Sequence, residues 1–293
     1  MAPTAHRLAF PAMLIGSIML AFGPWLVRLA DVAPIASAFW RMGLAVVPLA
    51  LLARFTGGRL APGLLDGKML WLAALAGVFF AGDLALWHLG IVRTTMANST
   101  LLANAASFLL PVWGFVVLGH RQGKKALVAI AFALAGTLLL VGRSAELSPR
   151  HFAGDLFCLG AALLYTAYLI VVDRLRGTVP ALPLLTLATL FGGLALLPFA
   201  LAMSGSQGFL PHDWTPLVLL ALGSQVIGQG LIVFAVGHLK PLVVGLTLLV
   251  QPAIAATIGA LRFGEIPGVA ELCGAALVVA ALVLVRWPER HRG

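Results

Sequence analysis

Arg41 and Asp83 stand inside long apolar runs, residues 33–53 and 69–91. A charge at the centre of a bilayer costs roughly 2.5–3.5 kcal/mol on insertion scales, so each needs a partner or a purpose. At 1.5 Å of rise per residue, both lie roughly 12 Å below the same surface. Equal depth allows an ion pair that holds two helices together. The other chemistry open to Arg41 and Asp83 is to meet a zwitterionic solute or a coupling proton. His88, five residues beyond Asp83, is one of few groups in the chain that titrate near neutral pH. It reads either as a satisfied interfacial residue or as a proton relay. Gln229 is the counterpart of Asp83 at an offset of 146 residues, so two symmetric proton sites are not expected.

A second set of polar residues follows helical spacing. Thr100, Asn104 and Ser107 lie on one face of an apolar stretch that runs from Gly90 to Gly119. They line a cavity wall or hydrogen-bond between helices, a contact worth about 0.6 kcal/mol in a membrane. Gln251 and Pro252 lie in the matching stretch from Leu239 to Gly264. Pro252 removes a backbone donor and frees a carbonyl one turn earlier. Pro24, Pro111 and Pro252 are therefore the candidate hinges. Tyr165 lies midway along a run of apolar residues, where a buried hydroxyl needs a partner. Tyr165 and Trp25 are expected to line the path, a wall that suits aromatic or aliphatic amino acids better than sugars or phosphates. A phosphate-bearing solute would need several cations at depth, and only Arg41 qualifies.

The elements that position these residues follow from composition. The 293-residue chain is 61% hydrophobic and 10% charged, with a mean hydropathy of +1.04. Soluble domains carry roughly 25% charged residues, so the chain reads as a polytopic all-α membrane protein. The net charge of +9 belongs to loops and not to nucleic-acid binding, since no basic run carries interleaved aromatics. Cys158 and Cys273 lie inside apolar segments and read as small packers, not as a disulfide or metal site. No cofactor is implied. The first apolar run lacks a clear small-residue cleavage site and reads as a retained helix.

About 20 apolar residues cross a bilayer. Ten segments meet that length: 9–30, 33–53, 69–91, 95–118, 125–141, 152–172, 182–203, 215–236, 241–261 and 269–285. The connections are short and leave no room for a soluble domain. With the N-terminus inside, Lys and Arg favour the inner loops thirteen to five, with Arg41 inside a span. That bias predicts an inner-membrane protein with both termini cytoplasmic.

The chain also repeats itself. At an offset of 145 residues, Gly119 falls on Gly264 and the small-residue run 129–136 falls on 274–281. Each half, 1–146 and 147–293, holds five segments. An odd number inverts the second copy relative to the first, giving two inverted five-helix repeats around a central cavity. Exchanging the states of two such halves opens the cavity to alternate sides.

At these residues the chain resembles the drug/metabolite transporter superfamily and, within it, the EamA-type ten-helix exporters. The third and eighth helices end as Ala85–Gly90 (ALWHLG) and Ile232–Gly237 (IVFAVG). The ninth has Gln251-Pro252 and closes on Phe263-Gly264-Glu265, the fifth and tenth carry the small-residue run, and Arg41 is followed by Ala45 four residues later. The chain departs from the pattern at Ser107, where Pro is expected, with Pro111 one turn on, and at His120, where Glu is usual. The resemblance implies export or exchange of small organic solutes by alternating access. Amino-acid exporters, including those for aromatic amino acids, are the most similar group. Other metabolites or cationic drugs are the alternative cargo, and the resemblance leaves monomer or homodimer undecided.

Rival classes have less to stand on. A membrane-embedded enzyme needs paired carboxylates, a metal cluster or an activated nucleophile, and most of the ten acids sit at helix ends with no HExxH or clustered-Asp motif. A channel would need a filter motif, which the sequence lacks. A cationic-drug pump would need a deep unpaired acid, a role open to Asp83 only where Arg41 leaves it free.

Overall fold

The structure, a computed structural model, describes residues 3–56, 66–106, 109, 128–129, 131–132, 134–139, 148–176, 178–236, 238–239, 247–248 and 250–286. The described elements are helical. α1 (Pro3–Ala21) and α2 (Gly23–Leu29) form one span broken at Phe22. The break falls where Pro24, at the start of α2, has no N–H to give to the turn before it. α3 (Pro34–Phe55) also starts on a proline, the position where a missing N–H costs nothing. α4 (Gly67–Ile91) leads through a short turn to α5 (Met96–Ala103), which Thr95 caps by accepting from the Asn98 backbone N–H.

The second half runs through α6 (Pro149–Arg176), α7 (Ala181–Ala202) and α8 (Thr215–Leu219). A π-helical segment (Leu220–Gly228) then joins α8 to α9 (Gln229–Val236). α10 (Val250–Phe263) and α11 (Val269–Arg286) complete it. Gly264, at φ 65°, ends α10 in the left-handed region, and the Glu265 N–H then reaches back to the Gly259 carbonyl at 3.1 Å.

Among the described residues six helices are long and apolar enough to cross a membrane: Leu8–Leu29, Pro34–Phe55, Gly67–Ile91, Pro149–Val172, Ala181–Ala202 and Thr215–Ala235. They correspond to the first, second, third, sixth, seventh and eighth expected segments. Large apolar side chains such as Val47, Trp71, Leu163 and Leu194 point outward, as lipid-facing residues do.

Three pairings dominate the core among the described helices. α4 packs against both α6 and α7, and α3 lies on α7. At the α4–α7 crossing the backbones touch: a Cβ on Gly77 would sit 2.7 Å from the Ala188 carbonyl oxygen and 2.9 Å from the Gly192 nitrogen. α1 lies along the π segment and α9, α5 along α6 and α10, and α3 along the π segment.

The stretch from Gly90 to Gly119 differs from its expected form. α5 ends at Ala103, and Asn104 forms its C-cap with a turn at 104–105. Asn104 folds its side-chain amide onto the Thr100 carbonyl at 2.9 Å, a competing bond of the kind that makes Asn favour helix ends. Ser107 and Pro111 lie outside the described residues.

One exposed loop carries a pH signal. Asp31 accepts from the backbone N–H of His212 at 2.8 Å, from that of Asp213 at 3.4 Å, and pairs with His212 Nδ1 at 3.2 Å. The His212 backbone donor is the main cause that holds the Asp31 carboxyl below its ordinary 3.8. A depressed carboxylate stabilises the fold above its unfolded value and loses that contribution as pH falls through the folded one. The loop around Trp214 should therefore hold from neutral pH down to about 4 and loosen below it. Acrylamide quenching of tryptophan fluorescence checks this: wild-type quenching should rise below that pH, and Asp31→Asn should quench at neutral pH as the acidified wild type does.

Candidate functional site

The deepest polar contact between α3 and α4 is Ser37 with His88. Ser37 Oγ lies 2.7 Å from His88 Nδ1 and 2.8 Å from its own Pro34 carbonyl. A carbonyl only accepts, so the hydroxyl proton goes to Pro34 and Ser37 accepts from His88 Nδ1–H. His88 Nε2 is then a bare acceptor, buried and without a partner. His88 is fully buried within the protein.

One turn along α3 is Arg41, 1% exposed and among the largest fully buried side chains. Its Nε donates to Gln225 Oε1 at 3.1 Å, and Gln225 Nε2 donates on to Thr189 Oγ1 at 3.2 Å. The guanidinium lies 5.7 Å from the centroid of the Trp87 ring. Trp87 is itself fixed by Nε1 donating to the Ser99 carbonyl at 3.1 Å. Arg41 Nη1 has no hydrogen-bond partner among the described residues.

Asp83 is buried on α4, one turn before Trp87. The direct Arg41–Asp83 ion pair expected from their equal depth is not formed. No Arg41 nitrogen comes within 4.0 Å of an Asp83 oxygen, although each is within the other's field. The cause is on the far side of the bundle. The π-helical segment presents Gln225 to the Nε edge of Arg41, while Trp87 takes the face, so the guanidinium is held away from the acid. Tyr165 is half-buried on α6, with its hydroxyl facing the Gln229 amide and within the fields of Asp83 and Arg41. Its ring extends a stack through Tyr168, at 5.7 Å, to Phe80, at 4.7 Å from Tyr168.

Arg41, Asp83, Gln225, Gln229, Thr189 and Tyr165 thus form a polar band inside an otherwise apolar bundle, drawn from α3, α4, the π segment, α9, α7 and α6. The sequence reading missed Gln225 and Thr189. A signal for Gln225 existed: it lies four residues before Gln229 in a span that is otherwise nearly free of polar side chains, and polar groups at membrane depth are expensive.

Other expected site residues lie elsewhere. Trp25 does not join Tyr165; it is half-buried beneath Arg262, whose Cζ is 5.8 Å from its ring. Thr100 is buried but spends its hydroxyl on the Met96 carbonyl at 2.9 Å, and Asn104 caps the same helix. Gln251 is 8% exposed and Pro252 half-buried, both in the first described turn of α10.

A second polar network closes the end of the molecule that holds the α4–α5 turn. Arg28 Nη1 and Glu265 Oε1 are 2.5 Å apart. Arg28 also donates to the carbonyls of Ile91 at 3.0 Å and Thr94 at 2.6 Å. Glu265 Oε2 accepts from the Met96 N–H at 2.7 Å, at the start of α5. An anion there satisfies an orphan donor and meets the positive end of the helix. Beside it, the fully buried Asp155 accepts from Thr94 Oγ1 and from Asn98 Nδ2 at 3.3 Å. The loop acid that ends α10 therefore ties the second half of the chain to the first.

Comparison with known proteins agrees with this architecture. A solved crystal structure aligns over 96% of this chain and 97% of its own at 18% identity, with a TM-score of 0.64, a likeness of fold. The Bacillus subtilis "Uncharacterized transporter YetK" is 27% identical over 55% of this chain, and the chain spans half of YetK's length. An Archaeoglobus fulgidus "Uncharacterized transporter" is 24% identical over 88% of this chain and 89% of its own. A Salmonella typhimurium "Probable amino-acid metabolite efflux pump" is 26% identical over 64% and 66%. The model of the EamA-like transporter family matches twice, over residues 7–142 and 152–287, the same step of 145 residues found within the sequence. Taken with the apolar spans, the double match makes this multi-pass membrane protein a member of the EamA-like transporter family.

Proposed function

We propose that the chain is a secondary transporter that exports amino acids, neutral or aromatic, by alternating access. The observation that carries this reading is the buried polar band, whose residues come from both matched stretches: Arg41 and Asp83 from the first, Tyr165, Thr189, Gln225 and Gln229 from the second. The ten segments are read as two inverted five-helix halves, 1–146 and 147–293, around this band. The helix pairings support a two-fold relation between the halves, and the odd number of segments per half makes that relation an inversion. Exchanging the halves turns the α4–α6 pairing into that of α1 with the π segment and α9, and turns α5–α6 into α1–α10, while α3–α7 and α5–α10 map onto themselves. The printed name of the Salmonella relative supports an amino-acid cargo, as does the Phe80–Tyr168–Tyr165 stack beside the band.

Liposomes holding the purified chain test it. Radiolabelled neutral and aromatic amino acids should exchange across the membrane, faster or slower when a pH gradient is imposed if a proton is coupled. No flux of any amino acid removes this substrate class. A second reading, export of an organic cation at Asp83, is favoured by the absence of a cation within 4.0 Å of that acid among the described residues. Flux of tetraphenylphosphonium, abolished by Asp83→Asn, would support it. The inner membrane, with both termini cytoplasmic, is the proposed location; a C-terminal alkaline phosphatase fusion should be inactive in cells and a fusion after Arg150 active.

A further inference from the structure

We propose that Arg41 is the receptor for the carboxylate of the exported solute, with Gln225 as the acceptor that the carboxylate displaces; this rests on the amino-acid reading above. Arg41 offers five N–H donors in a planar fork. The protein meets the Nε edge with a neutral amide oxygen and leaves Nη1 without any acceptor, in a side chain 1% exposed. A buried cation left short of acceptors is costly, and Gln225, the Trp87 face and the field of Asp83 offset only part of that cost. A carboxylate among the neighbours would repay it, yet Asp83 stays beyond 4.0 Å. The arrangement instead leaves a buried cation and a buried anion facing the same interior with no contact between them. A molecule with its own anion and cation one carbon apart supplies a counter-charge to each.

The chemistry of the donor set narrows the class. One guanidinium, without a second cation from the described membrane-depth residues, matches a planar monovalent anion in the two-pronged manner of arginine and carboxylate. It does not match a dianionic phosphate. The acceptor side is equally specific. Asp83 accepts from none of the described residues, so its carboxylate is open to the ammonium of an α-amino acid whose carboxylate meets Arg41. Gln225 is suited to yield: its bond to Arg41 is a neutral-acceptor bond, weaker than one to a carboxylate. It sits in a π-helical segment, a rare geometry that is frequent at functional sites.

The test uses the purified full chain in detergent, with L-phenylalanine, L-phenylalaninamide and 2-phenylethylamine as probes, read by tryptophan fluorescence and thermal unfolding. The wild type should bind the acid at least about tenfold more tightly than the amide or the amine, the margin of one charge-assisted bond. Arg41→Gln should erase that margin and Arg41→Lys should keep part of it. Gln225→Glu places a carboxylate on Arg41 from within. It should unfold at a higher temperature than wild type and lose affinity for phenylalanine by at least about tenfold, which keeps the test informative if Arg41→Gln does not fold. Equal binding of acid and amide by the wild type, or a Gln225→Glu protein that binds as wild type does, would overturn the proposal while leaving amino-acid export standing. If the wild type binds and transports no amino acid, both readings fall together.

Discussion

Glu265→Ala is expected to destabilise the protein by about 2–3 kcal/mol and to open the end of the molecule that carries the α4–α5 turn. A fully buried ion pair that loses one partner costs roughly 3–5 kcal/mol. Arg28 and Glu265 side chains keep 13% and 20% of their exposure, so solvent reduces that figure. The Met96 N–H loses its acceptor as well, which adds about 1 kcal/mol. Thermal unfolding in detergent reads the stability. Labelling of a cysteine placed at Val92 reads the opening, and should be faster in Glu265→Ala than in the parent. Glu265→Gln keeps an acceptor for Met96 and should recover part of the loss. If both variants match wild type in stability and labelling, the network holds nothing closed.

A single methyl group should have a comparable effect at Gly77. A Cβ there meets the backbone of α7 at Ala188 and Gly192, which cannot move aside as a flexible side chain would. Gly77→Ala should therefore cost about 3 kcal/mol, the upper end for overpacking. Gly230 is the control, because a Cβ at that position meets nothing within 4 Å. Gly230→Ala should stabilise by about 0.5–1 kcal/mol through helix propensity alone. The two variants share one chemical change, so a difference in their unfolding temperatures isolates the helix crossing. Equal temperatures would mean that α4 and α7 do not depend on their close approach.

How much of this was legible beforehand varied with the kind of signal. The depth of Arg41 and Asp83 was plain, because charge in an apolar run stands out at any register. Their separation was not. It depends on Gln225, and the π-helical segment that aims Gln225 leaves no mark in a run whose apolar residues satisfy several helical periods. Thr95 announces the start of α5 as a capping residue, yet the stop at Asn104 was hidden, since Thr100 and Asn104 keep perfect helical spacing. The spacing was real, but each side chain gives one donor to its own backbone. Trp25 and Tyr165 looked alike as aromatics within spans. Only tertiary contacts separate a ring covered by Arg262 from one beside Asp83. The 145-residue step was readable because small residues at helix crossings, unlike lipid-facing ones, have no equivalent substitutes.

The long reach of the Arg41–Gln225 bond has a consequence for how the chain is made. The two residues are 184 positions apart. At about 5–20 residues per second of synthesis, Arg41 leaves the ribosome roughly 10–40 s before its hydrogen-bond partner exists. Through that interval α3 carries a cation without its final partner, and the first acid made within a following apolar helix is Asp83. A transient Arg41–Asp83 pair is therefore expected during insertion, to be exchanged for the Gln225 bond once the π-helical segment is made.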